Sequence, residues 1–258
     1  MQNSPIQKFK NLYAESIGFD PDEFSQGKIT VHVKPDSANM IYVFDTDDQI
    51  VIFVGPDVDL ERIKNITFEQ WQNYFVDKNY IEELMGRGAN GFGPFICAVR
   101  DIPFVLESSR SLTFEKIDPG RAVSYEPLFN TDPRVLDALQ PDEPDNGWSQ
   151  AGISTARYSQ GAYLLRDNGR DAALGIIHNF LDQPIDTGVI TLPDMRRNGY
   201  GTRILQEMSN QILVNAPIHL VRYRPANRGS AGLSRELNFN HVGVMHEAIV
   251  NDLSRLLR

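Results

Sequence analysis

The stretch from Thr187 to about Val214 constrains this chain more than any other. It opens with a strand-like run, Thr187-Gly188-Val189-Ile190-Thr191. It closes with a helix-like run from Thr202, in which Ile204, Leu205, Met208 and Ile212 recur on one face. Between them lies a turn holding Arg196, Arg197, Gly199 and Gly201. A strand that breaks through such a turn into a helix leaves the first helical N–H groups without intrahelical acceptors. With the positive end of the helix dipole, those donors favour an anion. Gly199 and Gly201 carry no side chain that would keep a phosphate away from the backbone. The stretch is neither a P-loop, since Thr202-Arg203 follows Gly201, nor a three-glycine dinucleotide fingerprint. An ordinary turn is the other reading.

At 258 residues, 41% of them hydrophobic, the chain suffices for one large or two small domains with a real core. The net charge of −9 argues against nucleic acid or an anionic membrane as partner, because both reward a basic face. It does not repel a cationic amine. The single cysteine, Cys97, excludes an internal disulfide and a cysteine zinc site, and its apolar surroundings fit a packing residue. The N-terminal residues lack a signal-peptide pattern and no apolar run is long enough to span a bilayer, so the cytoplasm is the default expectation.

The pattern along the chain predicts a helix over 6–19, then strands at Ile29–Val33, Met40–Phe44 and Ile50–Val54. Asp45-Thr46-Asp47-Asp48 reads as a hairpin connection between the last two. Thr67 to Met85 is helical, capped by Thr67 with Gln70 three residues on. The glycine-rich Gly86–Gly93 precedes a strand at Pro94–Val99, not a helix that would help bind phosphate. A strand at Ser111–Ile117 and a helix at about Pro133–Leu139 lead to a polar, proline-bearing loop, Gln140–Gly147. Strands follow at Gly161–Arg166, Ala172–Phe180 and Asp186–Thr191, the first two joined by a tight turn at Asp167–Arg170. After the helix come a strand at Ile218–Tyr223, a short helix at Ala231–Leu237 and a strand at Val242–His246. A C-terminal helix would carry Ile249, Leu253, Leu256 and Leu257 on one face, suited to a homodimer contact or to packing on its own domain.

Arg196-Arg197-Asn198-Gly199-Tyr200-Gly201, with Pro193 three residues before the first Arg, resembles the Arg/Gln-x-x-Gly-x-Gly/Ala signature of the GNAT acyltransferase superfamily. Downstream, Asn227-x-x-Ser230-x-x-Leu233-x-x-x-Leu237-Asn238-Phe239 resembles that family's Asn-x-x-Ser/Ala-x-x-Leu-Tyr-x-x-x-Gly-Phe segment. Trp148-Ser149, leading to the turn at 167–170, looks like the family's first hairpin. The likeness covers roughly 110–247. It implies an α/β (α+β) protein with a GNAT domain over 106–258, built on a splayed mixed sheet, and a smaller N-terminal α/β lobe over 1–105. That lobe shows none of the motifs. By size and element order it is similar to a degenerate second copy of the fold that would wall the acceptor site.

The resemblance implies acetyl-CoA as co-substrate and a primary amine, on a small molecule or a peptide, as acceptor. The coenzyme's diphosphate would rest on the amides of Arg197, Asn198, Gly199, Tyr200, Gly201 and Thr202, beside Arg196. Its pantetheine arm would pair with Val189, Ile190 and Thr191, with Asn227 and Ser230 near the arm. The amine would attack the thioester directly while a backbone N–H holds the developing oxyanion. Asp186 and His178 are candidates for the base; Ser234, Tyr223 and Tyr200 are candidates for the acid. Ser234 stands where the family often has Tyr, and Asn238 where it has Gly. Each catalytic candidate also has an ordinary structural role as its alternative. A non-catalytic acyl-CoA-binding regulatory or scaffold protein is the competing function, and an unrelated mixed domain the third.

Overall fold

The computed structural model describes residues 4–17, 29–33, 40–46, 49–54, 89–109, 111–125, 161–180, 183–225 and 227–250. The helices expected at 67–85 and 133–139, the loop at 140–147, Trp148-Ser149, and Leu253, Leu256 and Leu257 lie outside these residues. In chain order the first elements are α1 (Pro5–Ile17), β1 (Ile29–Val33), β2 (Met40–Thr46), β3 (Gln49–Val54) and β4 (Ala89–Arg100). Then come β5 (Leu112–Ile117), α2 (Pro119–Val123), β6 (Gly161–Asp167), β7 (Arg170–Phe180) and β8 (Gln183–Thr191). A 3₁₀ turn at Pro193–Met195, α3 (Tyr200–Leu213), β9 (His219–Tyr223), α4 (Arg228–Glu236) and β10 (Asn240–Val250) complete the order. Among the described residues no helix is long and apolar enough to cross a membrane.

The chain divides into two compact units, one of residues 1–9 and 98–241, the other of 10–97 and 242–258. Each unit draws on two separate stretches of the sequence. In the second unit β2 and β3 form the expected antiparallel hairpin, from Ile41 opposite Val54 to Thr46 opposite Gln49. β1 joins β3 in parallel, and β10 joins β2 antiparallel, from Val244 opposite Asp45 to Ile249 opposite Met40. Two expectations are corrected here. Ile249 belongs to a strand and not to a C-terminal helix, because pairing with β2 extends the strand through the short apolar run that follows His246. The strand expected to start at Pro94 starts instead at Ala89 and takes in the end of the glycine-rich stretch.

The first unit carries the mixed sheet of an α+β fold, in spatial order β9-β8-β7-β6-β5. β5 to β8 are antiparallel neighbours; β9 returns parallel to β8 after the crossover through α3. β6 turns into β7 through Asn168 and Gly169, both left-handed at φ 50° and 80°, the two-residue turn whose twist suits a hairpin. β7 is buried from Ala172 to Ile177, as a central strand covered on both faces must be. α3 buries Ile204, Leu205, Met208, Ser209 and Ile212. It approaches the sheet at Gly175, where a Cβ would collide with the Met208 sulfur. One apolar cluster joins Ile117, Ala122, Ala162, Leu164, Leu174 and Ile176. Another joins Ala98, Leu205, Val221, Leu237 and Phe239, with Val189, Tyr223 and Leu233 against it.

α4 ends in a left-handed cap. Asn238 has φ 53°, its N–H donates to the Arg235 carbonyl at 3.1 Å, and the Phe239 N–H donates to the Ser234 carbonyl at 2.9 Å. These two bonds make the Schellman pattern, with Asn filling the place of the more usual Gly.

Candidate functional site

β8 is paired unequally on its two sides. Against β7 the register runs on to Thr191 opposite Ala173. Against β9 a single register pair holds, Asp186 opposite Leu220. Both strands continue beyond that point, to Thr191 and to Tyr223, so chain is present for further pairs and the strands diverge instead. The side of β8 that faces β9 therefore keeps backbone donors and acceptors open to a third, extended partner. Gly188, Val189, Ile190 and Thr191 are half-buried along this edge, while Ile185, Asp186 and Thr187 are buried.

The same strand leads into the glycine turn. Met195 is buried and its N–H donates to the Leu192 carbonyl at 2.9 Å. The Arg196 Nε donates to the Thr191 carbonyl at 3.1 Å, and the Asn198 amide nitrogen donates to the carbonyls of Met195 and Arg196, each at 3.2 Å. These bonds hold the turn from within. Arg197 (φ 65°) and Gly199 (φ 79°) are left-handed, a backbone arrangement that turns successive N–H groups to one side. Gly199 caps α3 without a side-chain hydrogen bond, and a Cβ there would meet no atom within 4 Å. Gly201 sits against the end of β8, with the Thr191 hydroxyl 3.0 Å from where a Cβ would stand. Strand edge and helix start are thus adjoining parts of one surface. The Tyr200 side chain does not share it: its hydroxyl donates to Asp167 Oδ2 at 2.6 Å, tying the helix start to the β6–β7 hairpin. That bond holds the Asp167 carboxyl below the usual carboxylate range and raises the Tyr200 phenol.

On the opposite face of the parting point stand His178, Asp186 and Arg222. Asp186, 5% exposed, receives both the Arg222 Nε at 2.8 Å and the Nη2 at 2.7 Å on its Oδ2. The buried carboxylate thus holds the Arg222 guanidinium through a single oxygen. His178 lies opposite Asp186 in register. Burial pushes its imidazole below the ordinary histidine range; the nearby Asp186 charge opposes the shift and Arg222 adds to it. Its Nε2 lies 3.5 Å from where a Cβ on Gly188 would stand. A ring nitrogen is therefore held over the glycine of the open edge, neutral at neutral pH and able to take a proton. Arg222 was not foreseeable as a partner of Asp186: only the parallel return of β9 brings the two together.

The remaining candidates spread over α4 and β9. The Asn227 Oδ1 accepts from the Ser230 N–H at 3.0 Å, capping α4. Ser234 is buried at 3% exposure and Tyr223 packs with Val189 and Leu233 on the second apolar cluster. Glu236, at the solvent-exposed end of α4, accepts from the Thr202 hydroxyl at 3.3 Å. Hence α4 closes over the helix start that carries the glycine turn, with the Leu233 Cδ1 at 3.6 Å from a Cβ placed on Gly201.

Residues 176–248 match the family model described as FR47-like protein. No curated protein matches the chain by sequence. Several solved structures align with it at low identity. A Drosophila protein aligns at 13% identity and a TM-score of 0.45, over 77% of this chain and 60% of its own. This chain thus spans about 60% of that protein's length. A GCN5-related N-acetyltransferase from Kribbella flavida aligns at 15% identity and a TM-score of 0.42, over 81% of this chain and 72% of its own. An acetyltransferase from the GNAT family from Colwellia psychrerythraea aligns at 13% identity and a TM-score of 0.44, over 76% and 75%.

Proposed function

We propose that this chain is a GNAT-type acyltransferase that moves an acetyl group from acetyl-CoA to a primary amine by direct attack, a reading its motifs at 193–202 and 227–239 support. The observation that carries the reading is the parting of β8 from β9 after Asp186, with the open strand edge running straight into the glycine turn of α3. An acyl-CoA needs both features at once. Its diphosphate seeks bare amides at a helix start, and its arm, with amide groups of its own, pairs like a strand.

In this reading the amides of residues 197–202 hold the diphosphate, and Val189, Ile190 and Thr191 pair with the arm. Asn227 and Ser230 flank the arm from the start of α4. The amine nitrogen attacks the thioester carbon, and the Val189 N–H steadies the oxyanion. The carbon–sulfur bond breaks and the thiolate leaves. Before the attack His178 takes a proton from the ammonium, which frees the nitrogen lone pair; the second proton, shed by nitrogen as the tetrahedral intermediate collapses, restores the group that protonates the thiolate, and Asp186 orients the site through Arg222. Ser234 and Tyr223 are the candidates to protonate the thiolate, with water as the alternative donor, since a thiolate leaves readily. The transferase domain is assigned to 106–258 and the acceptor is a small-molecule or peptide amine met in the cytoplasm.

A second reading, an acyl-CoA-binding protein without turnover, draws on one observation: the position at which the family often has Tyr holds a buried serine, Ser234. Thermal stabilisation by acetyl-CoA, followed by thiol release across a panel of polyamines, aminoglycosides and peptide N-termini, separates the two. Stabilisation with thiol release supports the transferase. Stabilisation with no release from any amine supports the binding protein, and no stabilisation rejects both.

A further inference from the structure

The parting point is fastened on both faces of the sheet, and by side chains. On one face lies the Asp186–Arg222 pair. On the other, the next residue of β8, Thr187, meets the His219 Nε2 at 2.8 Å, and the His219 Nδ1 meets the Ser209 hydroxyl of α3. Thr187, His219 and Ser209 are all buried, at 8%, 0% and 0% exposure. A neutral imidazole has one donor and one acceptor nitrogen, so the two hydroxyls satisfy the ring completely. Phe239 fixes the ring plane edge-on at a centroid distance of 5.1 Å. One unbroken line of hydrogen bonds thus joins β8, β9 and α3.

We propose that Thr187, His219 and Ser209 are positioning residues that set where β8 and β9 separate and how far the arm-binding edge lies from the α3 turn. The proposal rests on the acyl-CoA reading of that edge and turn. A ligand that grips two places through one covalent arm requires their separation to be fixed. Backbone pairing cannot fix it, because the register between β8 and β9 ends at Asp186 and Leu220. The polar line supplies the missing constraint. Thr187 lies one residue before the open edge begins, and Ser209 lies on the helix whose start carries the amides. An apolar trio would fill the same volume but would not hold the elements in one relative position.

The test compares two ligands on the full chain: acetyl-CoA, which carries adenosine, diphosphate and arm, and ADP, which carries adenosine and diphosphate without the arm. Thr187→Val removes one hydroxyl at nearly constant volume, and Thr187→Ser restores it. The expected result is an acetyl-CoA Kd raised about tenfold in Thr187→Val, an ADP Kd within about twofold of wild type, and recovery in Thr187→Ser. Ser209→Ala interrupts the same line from α3 and answers the question if Thr187→Val does not fold. Equal binding of acetyl-CoA by variant and wild type overturns the proposal. So does an equal loss of both ligands, which marks a merely structural role. A wild type that binds no acetyl-CoA is a different outcome: it rejects the acyl-CoA reading itself, and this proposal with it.

Discussion

Arg222 grips Asp186 through two guanidinium nitrogens at the level where β8 and β9 make their single register pair. The pair closes the narrow end of the parting strands and stands beside His178. It is too buried to be neutral to stability, since Asp186 is 5% exposed and the Arg222 side chain 21%. Asp186→Ala would leave a guanidinium largely out of water without its main partner. The expected cost is about 3 kcal/mol, read from urea midpoints at constant slope, and Asp186→Ala combined with Arg222→Met should recover part of it. A loss below about 0.5 kcal/mol would mean that the pair behaves as a surface contact.

His178 is the favoured base because burial keeps its imidazole neutral where an exposed histidine would be partly charged. His178→Gln should lower kcat by about 10²–10⁴-fold with little change in acetyl-CoA affinity. In wild type, kcat/KM should fall on the acid side with an apparent pKa below the ordinary histidine value of 6.5. That limb should be absent in the variant. An unchanged pH profile assigns the proton to another group.

His219 carries a prediction for acid stability. Its folded-state pKa is pushed down to about 3 by complete burial, with the Arg100 charge as a smaller cause. A group whose folded pKa lies below its unfolded value binds protons only in the unfolded chain across the interval between them. Folding stability is therefore lost as pH falls from about 6.5 towards 3, by an amount on the order of 4 kcal/mol from this residue. Urea midpoints measured between pH 7 and 4 should fall in wild type and fall less steeply in His219→Gln. Parallel slopes would show that His219 does not titrate on unfolding.

Much of the first unit was legible beforehand. From Gly161 onward the strands alternate or run apolar, Asn168-Gly169 marks a hairpin, and α3 shows its stripe at Ile204, Leu205, Met208 and Ile212. Local pattern fixes such elements because the periods of helix and strand differ. α4 begins earlier than its apolar residues announce, since Asn227 caps it by bonding the Ser230 N–H. The end of β10 was hidden for a different reason: Glu247 to Ile249 pair with β2, some 200 residues away in the chain, and a short apolar run does not declare its partner. Separations of 36 and 32 residues likewise hid Arg222 from Asp186 and His219 from Thr187. Asp186 and His178 were each candidates by residue type, but only register brings Asp186 opposite Leu220 and His178 opposite Asp186.

Asn238 stands at φ 53° where a glycine would meet no Cβ penalty. Asn238→Gly should raise stability by about 0.5–1 kcal/mol, offset in part by the greater freedom of glycine in the unfolded chain. Asn238→Val should lose about 1–2 kcal/mol. Thermal melts of the two variants check the sign.

The turn at 197–202 is where the central claim is decided. Its capping glycine is left-handed and open, and Gly201 has the Thr191 hydroxyl at 3.0 Å from any added Cβ. A titration of the isotope-labelled chain with acetyl-CoA, followed at the amides of Arg197 to Thr202 and Val189 to Thr191, reads both parts of the site together. Saturable shifts at both sets, with those at the turn lost in Gly201→Val and those at the strand edge absent when ADP replaces acetyl-CoA, are the predicted result. No shift at either set at millimolar acetyl-CoA would contradict the account.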